Sequence, residues 1–354
     1  MKLVYAVDKG SFNNPDHAGV NIKVSSHLKQ IRKLGFEAEL QQYEWKGGYP
    51  QIQISEDTDF LYFRRIDSSV KLLLKLREIK KINPNIRLIM EIPTYPFEGE
   101  EKEKKTIKKR INRAVGDRFL HCFIDRIALC GQVDKIKTLY GIPVIHFVNG
   151  ADFSQLPINP HDSKAGDDVH MICVSGCMLS HGYDRMIEGM HQYYKNTGNG
   201  RKVYFHIVGT GEKLDEYRSL AAGYPELEDK VIFYGRKTGT ELDEIYAKCN
   251  MTVAHLAIHR IGLTQISSLK TREYVAKGLP VISSSMMDIC TSDTERYIKI
   301  VPGDESPVNI VDIISFFDKV YAEKNVRETI RNEFMHLCDW EYTFTPIGDY
   351  LLGK

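Results

Sequence analysis

Residues 267–282 read Ser267–Ser268–Leu269–Lys270–Thr271–Arg272–Glu273–Tyr274–Val275–Ala276–Lys277–Gly278–Leu279–Pro280–Val281–Ile282. The stretch is a helix stopped by Gly278 and followed at once by a proline-entered strand. Such helix-to-strand handovers, repeated along a chain, build a parallel sheet with crossover helices on its faces. Ser267 or Ser268 can cap the helix, whose first turn then presents free backbone amides. Lys270 sits in that turn, where a cation opposes the helix dipole and an anionic ligand would explain it. Glu273 lies one turn further in, where a carboxylate can accept both hydroxyls of a ribose. The same two residues also read as a plain surface pair at i, i+3.

Outward from this stretch the alternation continues in both directions. Upstream in the second half, strands are expected at Val169–Val174, Val203–Val208, Val231–Tyr234 and Met251–His255, with Leu279–Ser283 closing the series. Helices are expected at Asp184–Tyr193, Lys213–Ala221 and Thr240–Tyr246, and a helical segment at about 308–352. The first half repeats the pattern, with strands at Leu3–Val7, Glu37–Leu40, Phe60–Phe63, Arg87–Ile92, Asp125–Cys130 and Pro143–Val148. Its helices run from about Gly19 to Leu34, with Val20, Val24, Leu28 and Ile31 on one face, and over Val70–Ile82. Between the halves, Ala151–Asp168 (ADFSQLPINPHDSKAGDD) reads as a linker with little to bury. The fold class is therefore α/β, with two Rossmann-like domains facing across a cleft. The expected division is 1–155, 156–335 and a closing helix over 336–354.

The chain has 354 residues, a length that suits two domains. Lys plus Arg (48) balance Asp plus Glu (47), which argues against a duplex-DNA binder needing a basic face. Seven cysteines without a CxxC or zinc spacing point to reduced thiols and a cytoplasmic protein. The opening MKLVYAVDKG has no signal-peptide pattern, and no run approaches 18 apolar residues. No metal ligand set is expected: His17, His206 and His255 read as core or loop residues, and no Asp-x-Asp stands where it would hold a divalent ion.

Three strand–glycine–helix junctions can receive a phosphate: Ala18–Gly19, Ser175–Gly176 and Gly209–Thr210–Gly211. None is GxGxxG and none is a Walker loop, so dinucleotide and NTPase readings lose their best evidence. Each also reads as an ordinary turn.

The motif K-x-x-E-Y-x-A-x-G-x-P-V-I in residues 270–282 resembles the donor-site helix of family 4 retaining glycosyltransferases, which have the GT-B fold. The remaining motifs follow in register over nearly the whole chain. AGVNIKVSSHLKQIRKLGFEAEL resembles the family's glycine loop and first helix, FVNGADF its interdomain N-G-x-D, and VSGCMLSHGYDRMIEGM its V-G-R-L-x-x-x-K-G segment. FHIVGTGEKLDEY resembles its V-G-x-G, KVIFYGRKTGTELDEIY its V-x-F-x-G, and Trp340 in CDWEYTF its closing helix. EIPTYPFEGE resembles a subset of bacterial surface-polysaccharide transferases.

The resemblance implies an acceptor-binding first domain and a second domain that binds a UDP- or GDP-sugar as co-substrate, with no cofactor. By it, Gly19, Gly176, Gly209 and Tyr234 line the donor site, with Ser268, Leu269, Lys270 and Glu273 on the donor helix. Departures are visible. The first acidic residue of the usual E-x7-E pair is Gln265 here, and the usual diphosphate-clamping Arg and Lys are Cys177 and His181. Lys270 and Arg260 are the expected substitutes, with His181 helping when protonated. Glu91, Thr94 and Tyr95, just after a strand, can bind acceptor hydroxyls, or form a proline-stiffened turn around a buried Glu. No enzymatic nucleophile is expected, because the leaving phosphate can take the incoming hydroxyl's proton on the same face.

Lys102–Arg118 is basic on several sides, with Ile107, Ile111, Val115 and Phe119 at i, i+4 spacing. Such a helix can lie on an anionic membrane, at the inner face of the cytoplasmic membrane, or pack its stripe on its own domain. Three functions compete: a glycosyltransferase acting on a saccharide or lipid-linked saccharide in surface-polysaccharide synthesis, a nucleotide-sugar epimerase, and a non-catalytic partner subunit of the same fold.

Overall fold

Runs such as LVYAV and FLYF carry no polar alternation, as strands buried on both faces must, and each pairs in parallel with its neighbours. The computed structural model describes all residues except 15–17, 65, 67, 94, 96–106, 132–135 and 199. The chain forms two compact units, Met1–Gly150 with Trp340–Lys354, and Ala151–Asp339.

In the first unit the elements are β1 (Lys2–Asp8), α1 (Lys9–Asn13), α2 (Ala18–Lys33), β2 (Glu37–Tyr43), β3 (Trp45–Lys46), β4 (Tyr49–Pro50) and β5 (Phe60–Arg64). Then come α3 (Val70–Ile82), β6 (Arg87–Ile92), α4 (Ile107–Phe119), β7 (Arg126–Cys130), β8 (Thr138–Leu139) and β9 (Ile142–Phe147). The seven-stranded sheet has the order β2-β1-β5-β6-β7-β9-β8, parallel except at the β8–β9 hairpin. Helix α3 buries Leu72, Leu76 and Ile79 completely, each contributing roughly 1.5–3 kcal/mol. Helix α4 crosses the start of α3 closely: Asn112 accepts from the Val70 amide at 3.1 Å, and a Cβ on Gly116 would stand 2.5 Å from the Ser69 nitrogen.

The second unit contains β10 (Val169–Val174), α5 (Tyr183–Thr197), β11 (Val203–Val208), α6 (Leu214–Ala222), β12 (Val231–Gly235) and α7 (Gly239–Tyr246). It continues with β13 (Met251–Val253), α8 (Leu269–Ala276), β14 (Val281–Ser283), β15 (Ile298–Ile300), α9 (Ile310–Tyr321) and α10 (Val326–Cys338). Its six-stranded sheet has the order β12-β11-β10-β13-β14-β15. The chain then returns to the first unit with α11 (Trp340–Thr343) and α12 (Thr345–Leu351); Phe344 between them and Ile347 and Leu351 of α12 pack with Leu3, Tyr5 and Leu28.

The divisions fall at Gly150/Ala151 and Asp339/Trp340, a few residues from those expected. The linker buries little, as expected, with only Ala151, Phe153 and Asn159 of its 18 residues buried, yet it is not a loose tether. Phe153 and Asn159 are buried, Asn159 donating to the carbonyls of Tyr246 and Cys249, while Arg327 and Arg331 bind linker carbonyls. Asn159, together with His161 against the Ala247 carbonyl at 3.2 Å, ties the segment to the second unit. Strands β3, β4, β8 and β15 have no counterpart in the pattern read above; each is two or three residues long, too short to show a period.

Candidate functional site

Strand β10 is laid down first in its sheet; β11 and β12 build outward on one side, β13 to β15 on the other. The crevice past the carboxyl ends of β10 and β13 is thus a topological switch point, where open α/β sheets bind ligands. Two glycine loops meet beside it. A Cβ on Gly209 would lie 1.8 Å from the Ser175 carbonyl, and one on Gly211 would lie 1.6 Å from the Gly176 carbonyl. Both glycines also hold positive φ, so no other residue fits. Cys177 takes a left-handed conformation (φ 40°) without being glycine, a strain of the kind that gathers at functional sites.

His181 follows β10 and His255 follows β13, and their rings stack at 4.7 Å across the switch point. Burial holds both imidazoles well below the usual histidine range, with Lys270 adding to the effect. The Met178 amide donates to His181 Nδ1 at 2.8 Å, which requires an unprotonated nitrogen there. His181 is therefore neutral, and the expectation that it helps as a cation is corrected. Next to it, Tyr183 donates to Ser175 Oγ at 2.9 Å and receives Lys270 Nζ at 3.5 Å.

Helix α8 begins after Ser268, whose extended backbone is an N-cap but whose side chain makes no cap bond. The amides of Leu269 and Lys270 are thus not engaged by a capping oxygen, and Lys270 rises from the same turn. Burial lowers its ammonium pKa to about 7, against weaker opposition from Cys173 and Cys177. No carboxylate lies within ion-pair distance of it among the described residues. Glu273, one turn further on, is likewise pushed up to about 7 by burial, with Lys277 pulling the other way. Lys277 itself pairs with Asp243 at 2.7 Å. A lone ammonium and a lone carboxylate, both partly desolvated, stand ready for a ligand that offers each a partner.

Several expected residues lie elsewhere. Arg260 grips Asp184 through both terminal nitrogens (3.0 and 2.7 Å) and also binds Glu305, which raises its pKa further. Its charge is matched by two carboxylates, so it is not the spare phosphate cation it was expected to be. Gln265 is exposed and bridges to Met286 through its backbone. Gly176 lies in the β10 loop, but its Cβ position is not crowded. The Tyr234 hydroxyl pairs with His206 at 2.9 Å, apart from the Lys270 group.

The other expected residues belong to the first unit. Gly19 sits in the first turn of α2. Glu91 is fully buried. Its carboxylate pairs with Lys23 at 3.0 Å and Arg64 at 3.4 Å, and accepts from Tyr5 and Tyr62 at 2.9 Å. Against the cost of burial, Lys23 and then Arg64 hold it far below the usual carboxylate range. With every lone pair committed, Glu91 has none to offer a sugar hydroxyl, which corrects its acceptor role. Tyr95 is half-buried against the apolar core, and Thr94 and His17 lie outside the described residues.

Two buried arginines that the motif reading passed over shape the site. Arg272 has no exposed surface. It pairs with buried Asp288 and donates to the Ser268 carbonyl (3.1 Å) and Ser267 Oγ (2.9 Å), so it fixes the loop that enters α8. Arg185 binds the carbonyls of Leu256, Pro302 and Ser306, pinning the exit of β13. Arg272 in the middle of α8, among buried Thr271, Tyr274 and Val275, was the available signal; Arg185, in the first turn of α5, gave none. Tyr183→Phe should keep the fold but cost about 1 kcal/mol, because Ser175 Oγ loses its donor. A melting curve unchanged within a degree would mean that the bond is not formed.

Among the described residues, no group of three or more His, Cys, Asp or Glu could hold a metal ion. Residues 169–315 match a family model described as Glycosyl transferases group 1. A crystal structure of Anabaena Alr3699/HepE in complex with UDP-glucose is similar over 100% of both chains, with TM-score 0.68 and 13% identity. The lipopolysaccharide outer core galactosyltransferase WaaB, in its apo form, is similar over 100% of this chain and 99% of its own, with TM-score 0.58 and 13% identity. An alpha-glucosyltransferase (AGT) in complex with UDP gives TM-score 0.57 at 12% identity, over 99% of this chain and 100% of its own. No curated protein is similar in sequence at a significant level. The chain has the GT-B fold of two Rossmann-like domains.

Proposed function

We propose that the chain is a retaining, metal-independent glycosyltransferase. It moves a sugar from a UDP- or GDP-linked donor to a saccharide or lipid-linked saccharide in bacterial surface-polysaccharide synthesis, at the inner face of the cytoplasmic membrane. One observation carries the reading: at the switch point of the second sheet, the uncapped first turn of α8 presents Lys270 and, one turn on, Glu273, neither held in an ion pair among the described residues. The family model over residues 169–315 supports it.

In this reading the α8 amides and Lys270 receive the diphosphate, and Glu273 accepts the ribose hydroxyls. The bond from the anomeric carbon to the β-phosphate oxygen breaks as the acceptor oxygen bonds the same face of that carbon. The departing diphosphate takes the acceptor's hydroxyl proton. Lys270 stabilises the charge gathering on the leaving oxygen, which is where transition-state stabilisation is largest.

The partner-subunit alternative draws on Arg260 and His181, because neither supplies the positive charge that a diphosphate clamp uses. Calorimetry with UDP, GDP and their sugars separates the two. The active reading expects one nucleotide to bind and Glu273→Gln to weaken it about tenfold, the worth of a hydrogen bond to a charged group. Binding of no nucleotide would overturn that reading in favour of the scaffold.

A further inference from the structure

Of the chain's two tryptophans, Trp340 is buried and Trp45 is 45% exposed. Trp45 stands on the β3–β4 hairpin, just past the carboxyl end of β2, and its surroundings fix it there. Gly47 and Gly48 both take positive φ, as the central residues of a tight hairpin turn do, and the turn pairs Trp45 with Pro50. Helix α3 ties the hairpin down: Lys71 donates to the Gly47 carbonyl, and Tyr49 donates to Glu78 at 3.0 Å. The indole N–H donates to Asp8 Oδ1 at 2.9 Å, while Asp8 Oδ2 accepts from the Ser11 amide at 2.7 Å. The rings of Trp45 and buried Tyr43 meet at 71°, with centroids 5.8 Å apart. An exposed ring held on three sides is preorganised for a ligand, having little freedom left to lose.

Its place in the fold is equally specific. Strand β1 lies between β2 on one side and β5 on the other, so the crevice past its carboxyl end is the switch point of the first sheet. Asp8 ends β1, Trp45 follows β2, and Arg64 ends β5. Burial raises the Tyr43 hydroxyl pKa, Asp8 adds to the rise and Arg64 opposes it, so both charges act at this one spot. Among the described residues the Arg64 guanidinium bonds Glu91 alone, at 3.4 Å, which leaves most of its donors uncommitted.

From these observations we infer that Trp45 is the platform on which the acceptor lies, and that the acceptor offers it a pyranose ring with an apolar C–H face. The axial hydrogens of a pyranose carry partial positive charge, and the indole face is the negative part of its quadrupole. The equatorial hydroxyls at the ring's rim then meet an acceptor in Asp8 and donors in Arg64. A protein or lipid surface needs an apolar patch of hundreds of Å², which one ring beside Asp8 and the Lys9–Glu44 ion pair does not supply. A nucleic-acid base would stack on Trp45, but the Asp8 carboxylate repels its phosphates. The role as acceptor rests on the transferase reading above; the sugar site itself does not.

Tryptophan fluorescence of the full chain tests it, because with Trp340 buried the solvent-exposed emission belongs to Trp45. Methyl β-glucopyranoside, titrated to about 100 mM since one stacked ring and a few hydrogen bonds give millimolar affinity, should shift the emission to the blue and saturate. Quenching by acrylamide should fall in parallel. Glucitol, which has the hydroxyls but no ring face, should do neither. Saturation-transfer NMR should place the contact on the axial ring hydrogens. Trp45→Ala should abolish that contact and Trp45→Phe should keep part of it, with melting temperature and nucleotide affinity unchanged because the side chain is at the surface. With an aryl pyranoside as acceptor, Trp45→Ala should raise the acceptor KM about tenfold, the upper worth of a stacked ring, and leave the donor KM alone. No response to the glucoside, an equal response to glucitol, or a contact that survives Trp45→Ala would overturn the inference. Nucleotide binding without a sugar response overturns this inference and leaves the transferase reading standing. A sugar response without nucleotide binding supports the Trp45 site and overturns the transferase reading instead.

Discussion

Glu91→Gln is expected to destabilise the first unit by about 3–5 kcal/mol, the cost of removing one partner from a buried ion pair. Lys23 is 3% exposed and rests over the Phe147 ring at 4.7 Å, so its ammonium has no route to water once the carboxylate is gone. Arg64 keeps some solvent contact and loses less. Tyr5 and Tyr62 would each lose a charged acceptor at 2.9 Å. For a unit of this size the melting temperature should fall about 10 °C, at roughly 2–4 °C per kcal/mol. The pH dependence has a definite sign. Glu91 is ionised in the folded state to far lower pH than in the unfolded chain, where its pKa is near 4.5. Its stabilisation is therefore full above about pH 4.5 and is lost as pH falls below it, so the acid limb should flatten in the variant. Adding Lys23→Met should recover part of the loss, because the orphaned cation is removed as well. A variant that melts like wild type yet fails in transfer would return Glu91 to the acceptor.

The Glu91 network shows what the sequence could and could not tell. Val20, Val24, Leu28 and Ile31 predict helix α2 and its inner face, and Val24, Leu28 and Ile31 are buried as expected. At 100° per residue His27 falls within about 20° of Val20, so the apolar face already contained an imidazole, with Lys23 at its edge. Both are buried, and burial pushes the His27 pKa down to about 3. The pattern marks the helix and its face. It does not reveal that the buried base and lysine meet a carboxylate from β6, because that pairing depends on sheet order. The same holds in the second unit. Lys270 and Glu273 were visible from helix spacing alone, because they share one helix. The occupation of Arg260 by Asp184 and Glu305 was not, since its partners lie 76 and 45 residues away in the chain. Local chemistry was readable, and long-range charge cancellation was not.

Lys270→Met should weaken diphosphate binding about 100-fold while making the protein more stable. The two effects have one cause. In the folded chain burial lowers the ammonium pKa to about 7, from 10.5 when unfolded. A lowered lysine pKa means that the unfolded chain holds its proton more tightly. The cost to stability is full below pH 7 and disappears as pH rises through 10.5. The full shift corresponds to about 5 kcal/mol at 1.4 kcal/mol per unit, and solvent access at a half-buried site reduces it to about 2. Methionine matches the length of the chain without the charge, so the melting temperature should rise by about 5 °C. Binding should move the opposite way. A diphosphate raises the lysine pKa by pairing with it, so wild-type affinity tightens as pH falls toward 7, with a proton taken up on binding. Below pH 7 the gain stops, and protonation of Glu273, whose pKa is also about 7, weakens its hold on hydroxyls. Wild-type affinity should therefore peak near neutrality. The methionine variant should bind about 100-fold more weakly there, with no alkaline limb and no proton uptake. Calorimetry in buffers of different ionisation enthalpy reads the proton directly. A variant that is less stable than wild type would make Lys270 a structural residue. A variant that still binds nucleotide normally would move the diphosphate off α8. Gain of stability together with loss of binding is the signature of a charge kept at a cost because a ligand uses it.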